Sequence, residues 1–427
     1  MSDSHESKNL SEILFKPRRT SRETSVISNS DLNISEDHLF GGYLTGYFNK
    51  WYRPVYRFLW TWLGGNLLDI DMALAKIAAS DNKRSRENCL DTVIDYGPGN
   101  WIYEFSSIAQ DRYLRAKQEL LAGEEKAASH HFRMASRYFA IASYPNLKGD
   151  DLAAESALLG RKSYREIFAH DKDLGYFSEE SFKVRDTTVT AFLHSPDNTS
   201  LHPCVIIAGT YWQSAIDYFR IYADYLSRHG IAVLILDLPG VGGSISLSLN
   251  ERSSDILESA IEHLKEKVPF IDSTNIGVTA HSVGCNPVVR LSILRPDLIK
   301  AIALIDPMVD KLYTNQDFLN EMPLCNRASL ANRMGLDAAS WSTIIPQLQI
   351  MSLKKQGLLS MSGNCAIPCF ICSLSHGKIK NDDVKLINYN FKNTYIKEFK
   401  KLSFTMRDFP VFLEIEKFFC QKFDIEN

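Results

Sequence analysis

The stretch Asn275 to Leu294, "NIGVTAHSVGCNPVVRLSIL", decides how the rest of the chain is read. A short β-branched run, "NIGVT", gives way within five residues to a helical pattern, "NPVVRLSIL", with Ala280-His281-Ser282-Val283-Gly284 at the junction. A G-x-S-x-G elbow places a serine on a sharp strand-to-helix turn and needs small residues two positions either side. Ala280 stands here for the first glycine. The strand before and the helix after supply the context that five letters lack. Ser282 is therefore the candidate nucleophile; the competing role is to cap the following helix. His281 is not read as its base, because neighbours on so tight a turn project in different directions.

On either side of this junction short apolar runs alternate with helical stretches. "SFKVRD" and "TVTAFLHSP" read as a hairpin, followed by "PCVIIAG", "IAVLILDLPG", "NIGVTAHS", "KAIALIDP", "IPCFICSLS" and "TYIKEF". Helical stretches such as "AIDYFRIYADYLSRHG" and "DILESAIEHLKEKV" separate them. Eight strands, the first two joined by a turn and the later ones by helices, predict a mostly parallel, doubly wound sheet in the order of an α/β-hydrolase. The interval from about 307 to 364 is too long for a simple connection and carries helical pattern, so it reads as a helical insertion able to cover the site.

Before the first strand the period is helical. Residues 37–177 include "RENCLDTVIDY", "NWIYEFSSIAQDRYLRAKQELLAG", "EEKAASHHFRMASRYFAIASYP" and "DDLAAESALLGRKSYREIFAH", which read as a helical cap. Their Ala and aromatic spacing is similar to one tetratricopeptide pair, but no period is sustained, so a solenoid is not expected. Residues 1–36 are polar and aperiodic and read as a partly disordered tail. The hydrolase domain is expected over 178–427.

Composition narrows the function classes. A net charge of −3 over 427 residues lacks the electrostatic footprint of a nucleic-acid binder or a polybasic membrane-surface protein. The most apolar stretch, "WYRPVYRFLWTWLGGNLL", carries two arginines and a proline and reads as an aromatic-rich helix docking on protein, not a membrane span. With no basic segment leading into an apolar one near Met1, a cytoplasmic location is expected. The eight cysteines do not form a disulfide framework. Cys365, Cys369, Cys372 and His376 have the residue types of a metal site, yet "CAIPCFICSLSHG" reads as a buried strand with Cys369 and Cys372 on opposite faces. No metal and no cofactor is expected.

An oxyanion hole needs two backbone N–H groups aimed at the developing charge. In this fold one comes from the residue after the nucleophile, here Val283, and one from the turn after the third strand, "AGTYW", giving Thr210 or Tyr211. "DLPGVGGS", Asp237 to Ser244, reads as a structural turn with Asp237 as a turn acceptor. The proton acceptor is the gap. A histidine is expected after the last strand, but "KKLSFTMRDFP" contains none, and His376 is the only histidine after Ser282. Adjacent strands lie about 4.8 Å apart, so Asp306 of "LIDP" should adjoin Ser282 with His376 one strand further. A rearranged set of Ser282, His376 and Asp306 is one reading; the other has Asp306 capping the next segment and His376 in a plain loop. Asp382 and Asp383 read as a solvated helix start.

Several stretches together resemble one family. "NLSEILFKPR", "DTVIDYGPGNWIYEF", "IASYPNLKGDDLA", "HGIAVLILDLPGVG" and "KQGLLS" are similar to the FrsA family, the fermentation/respiration switch proteins or FrsA-type esterases of the α/β-hydrolase superfamily. The resemblance runs from residue 9 onward. It implies a helical region packed on the hydrolase domain, carboxylic-ester hydrolysis, a link to carbon metabolism, and association with the glucose-specific EIIA phosphocarrier. The expected function is a serine carboxylesterase of low turnover acting on a small ester. The rival is a hydrolase-fold regulatory protein that binds a metabolite or a sugar phosphotransferase component without chemistry.

Overall fold

The computed structural model describes residues 51–336, 341–360, 362, 365–374, 378–399 and 410–425; the expected tail, 1–36, lies outside them. All eight expected strands form: β1 (Tyr176–Val184), β2 (Thr187–Ser195), β3 (His202–Ala208), β4 (Ala232–Leu236), β5 (Ile271–His281), β6 (Ala301–Ile305), β7 (Cys369–Leu374) and β8 (Thr394–Phe399). Their order is β1-β2-β4-β3-β5-β6-β7-β8, with β1 and β2 an antiparallel hairpin, β2 antiparallel to β4, and every later pairing parallel.

Strands covered on both faces read as unbroken apolar runs, and every residue of β4 is buried. Side chains alternate between two cores: Ala232, Leu234 and Leu236 enter one, Val233 and Ile235 the other. The same parity separates the cysteines of β7, with Cys369 in the first core and Cys372 in the second. All eight cysteines are free and buried.

Ahead of the sheet lie α1 (Arg57–Trp62), α2 (Leu67–Ala79), α3 (Trp101–Leu121), α4 (Glu125–Ser143) and α5 (Asp151–His170). Asn66, Asn100 and Asp150 start α2, α3 and α5 by accepting first-turn N–H groups, the task those short polar side chains perform best. A third, aromatic core fills this region, where Trp60 and Trp51 meet Trp101 edge to face at 6.1 and 6.3 Å. The expected helix over "RENCLDTVIDY" does not form. The buried Asp91 carboxylate instead accepts the Tyr52 and Arg53 N–H groups and the Arg53 guanidinium, and Arg84 bridges Val93, which fixes an extended loop.

Within the α/β part, α6 (Asp255–Lys267) and α7 (Cys285–Leu294) contribute to the first core. The stretch after β3 is an irregular helix containing a π turn over Tyr222–Leu226. The long insertion supplies α8 (Lys311–Thr314), α9 (Gln316–Glu321), α10 (Leu324–Arg333) and α11 (Trp341–Leu348); α12 (Lys378–Asn390) and α13 (Pro410–Lys422) follow. Leu324, Cys325 and Ala328 of α10 belong to the aromatic core of the first helices, so the insertion and the helical region share one packing unit. Among the described residues no helix is long and apolar enough to cross a membrane.

His194 of β2 is fully buried among Phe168, Phe177, Phe219 and Tyr222, with Nε2 2.9 Å from the Tyr164 hydroxyl. Burial disfavours the imidazolium and pushes this histidine down to about 3. In the unfolded chain it titrates near 6.5, so between those values the unfolded state binds the extra proton. The stabilisation is complete above pH 6.5 and declines as the pH falls, by about 1.4 kcal/mol per unit from this group. Denaturant titrations at pH 7, 6 and 5 should show that slope, and His194→Gln should reduce it by about one proton; an unchanged slope contradicts the assignment.

Candidate active site

Ser282 leaves the end of β5 with φ at +55°, a left-handed conformation that non-glycine residues adopt at a cost of roughly 1–3 kcal/mol and that recurs at functional turns. A 3-10 turn, Ser282–Gly284, joins it to α7. A Cβ on Gly284 would lie 2.3 Å from the Gly209 carbonyl oxygen and 3.0 Å from that of Ala208. Only glycine therefore lets the end of β3 close on the elbow, which is the physical reason for the motif's last position. The serine is 5% exposed. Its hydroxyl donates to the Met308 thioether, Oγ to Sδ 3.3 Å, and its carbonyl accepts the Met308 N–H at 3.2 Å.

The register pairs His281 with Ile305, so Asp306 stands at the strand end beside Ser282, as the sheet spacing predicts. Asp306 is buried, has φ at +45°, and donates its N–H to the Cys372 carbonyl at 2.9 Å. His376 lies outside the described residues. Asp383 is not the solvated helix residue expected from sequence: it is buried on α12 and accepts the N–H groups of Val309, Asp310 and Lys311 at 2.9, 3.2 and 3.1 Å. Burial raises its carboxyl to about 6 against the opposing pull of those three donors. It thereby fixes the loop that carries Asp306 and Met308. Asp382 is exposed, 3.8 Å from the Lys311 ammonium.

The loop after β3 faces the elbow from the other side. Thr210 directs its N–H to the Tyr218 hydroxyl at 3.1 Å, and its own hydroxyl to Gln213 at 3.2 Å. Of the two donors expected here, the Tyr211 N–H is thus the one without a protein partner among the described residues. Val283 is the second residue of the Ser282–Gly284 turn, where the first N–H groups have no carbonyl below them. The loop is strapped from both the helical region and the insertion. Arg137 of α4 pairs with Asp217 and donates to the Ile216 carbonyl, while Arg333 of α10 donates to the Tyr211, Asn146 and Pro145 carbonyls at 2.9, 2.6 and 2.6 Å. Asp237 is a turn acceptor for the N–H groups of Ala215 and Gly243, at 2.6 and 2.8 Å, and burial raises its carboxyl.

A strained serine at the head of the central strand of a sheet in this order defines an α/β-hydrolase. A profile of the family described as "Esterase FrsA-like" matches residues 5–409, and this chain belongs to that family. Esterase FrsA of Photobacterium profundum is 33% identical over 362 residues, spanning 84% of both chains. Esterase FrsA of Yersinia pestis (strain Pestoides F) is 35% identical over 359 residues, 82% of this chain and 84% of that one. Among solved structures, the 2,6-dihydroxy-pseudo-oxynicotine hydrolase superposes with a TM-score of 0.66 at 16% identity, covering 85% of this chain and 94% of its own. AbyA5 superposes with a TM-score of 0.65 at 15% identity, covering 84% and 90%. These two likenesses establish the fold.

Ser282, Val283, Tyr211 and Asp306 thus come from loops at one end of the sheet. Sequence reasoning missed Met308, Tyr218, Arg137 and Arg333; only the distance from the serine to "LIDPM" on the neighbouring strand held a usable signal, for Met308. The tight approach at Gly284 gives a direct check. Gly284→Ala should destabilise the protein by about 2 kcal/mol or more through overpacking against Gly209, read as a lowered Tm; an unchanged Tm contradicts the closure described.

Proposed function

We propose that this protein hydrolyses small carboxylic esters through Ser282 and turns over slowly. The observation that carries the proposal is the left-handed φ of Ser282 at the strand-to-helix junction, a strain with no packing purpose in a plain helix cap. In the acylation step the Ser282 oxygen bonds to the ester carbonyl carbon, the carbonyl oxygen takes the negative charge, and the alcohol departs. Val283 and Tyr211 offer the N–H groups for that charge, since Thr210 already donates to Tyr218. The Ser282 proton falls to His376, with Asp306 behind it, once the hydroxyl leaves the Met308 sulfur, or inefficiently to water. We also assign the insertion helices α8 to α11 the role of a cover over the site.

Slow turnover is part of this proposal because, among the described residues, the acceptor of the serine hydroxyl is the Met308 thioether. A positioned base contributes roughly two to four orders of magnitude, and a thioether cannot serve as one. The same contact favours a second reading, a regulatory protein on a hydrolase fold that binds a metabolite or a phosphotransferase component. A fluorophosphonate probe separates them. The esterase reading predicts labelling that Ser282→Ala abolishes and His376→Ala slows; absence of labelling in folded wild-type protein leaves the regulatory reading.

A further inference from the structure

Met308 makes two polar contacts with one residue, accepting the Ser282 hydroxyl at Sδ and donating its N–H to the Ser282 carbonyl. The loop that carries it is held from behind by Asp383, which accepts three successive N–H groups starting at Val309. The side chain is half-buried, so part of it remains open to solvent beside the serine. A thioether sulfur is a weak hydrogen-bond acceptor with no appreciable proton affinity at a pH where proteins fold. It can orient a hydroxyl but cannot take its proton.

Resting on the reading of Ser282 as nucleophile, we propose that Met308 is a positioning residue that occupies the station of a general base, holding the serine hydroxyl oriented but unactivated. Sδ of methionine and Nδ1 of histidine are both three bonds from Cα. An imidazole at 308 would therefore place a nitrogen close to where the sulfur now accepts the hydroxyl. One side chain then sets the difference between a slow site and a fast one, with the sheet, the elbow and the oxyanion donors unchanged.

The test is the rate of fluorophosphonate labelling at Ser282 as a function of pH in wild type, Met308→His and Met308→Ala. In this reaction the Oγ–P bond forms, the P–F bond breaks, fluoride leaves, and the hydroxyl proton passes to imidazole or water. Met308→His should show a sigmoidal rise with a midpoint in the imidazole range, about 6.5, and a plateau about tenfold or more above wild type. Met308→Ala opens the same space to solvent, so its rate should rise with added free imidazole while wild type stays insensitive. If Met308→His fails to fold, the imidazole dependence of Met308→Ala decides alone. Folded variants that label at the wild-type rate, with no inflection and no response to imidazole, overturn the role of Met308 and leave Ser282 as nucleophile. No labelling in any of the three proteins overturns both.

Discussion

One buried guanidinium joins the two halves of this protein. Arg333 ends α10 at 1% exposure, and its donors converge on the carbonyls of Pro145 and Asn146 in the helical region and Tyr211 beside the elbow. The Arg333 carbonyl in turn accepts the Leu249 N–H at 2.7 Å. Burial lowers the guanidinium to about 9, still above neutral pH, so it remains charged there despite burial. Hydrogen bonds from a charged donor contribute about 1.5–3 kcal/mol each, and carbonyls left buried without a donor are costly. The turn after β4 must also leave room: a Cβ on Gly240 would lie 2.7 Å from Arg333 Cδ.

The helical region is therefore part of the site's construction. Arg137 holds the far end of the β3 loop through Asp217 and Ile216, and Trp212 packs against both the sheet core and the aromatic core. The loop that presents the Tyr211 N–H is fixed at one end by Arg333 of the insertion and at the other by Arg137 of the helical region. Two of the stretches that resemble the FrsA family thereby acquire physical tasks: "IASYPNLKGDDLA" carries two of Arg333's acceptors, and "HGIAVLILDLPGVG" carries Gly240.

Much of this was legible in the sequence because burial writes itself as periodicity. The unbroken apolar run of β4 and the shift from strand to helix at Ser282 both placed their elements, and strand parity alone sent Cys369 and Cys372 to opposite cores. The misreadings share a different cause. Asp91 and Asp383 act on backbone N–H groups far along the chain, so neither "RENCLDTVIDY" nor "NDD" shows locally what its carboxylate does. Arg333 binds carbonyls, which every residue has, so no pairing pattern announces it. The acceptor that the Thr210 N–H finds is a tyrosine hydroxyl eight residues on, which the turn sequence alone does not show.

Amide hydrogen exchange in Arg333→Met tests the central claim most directly. If the guanidinium couples the halves, protection should fall together over 144–150 and 209–217 while β3, β4 and β5 keep theirs. Protection that is unchanged in both loops, or lost only around 330–335, would contradict the account.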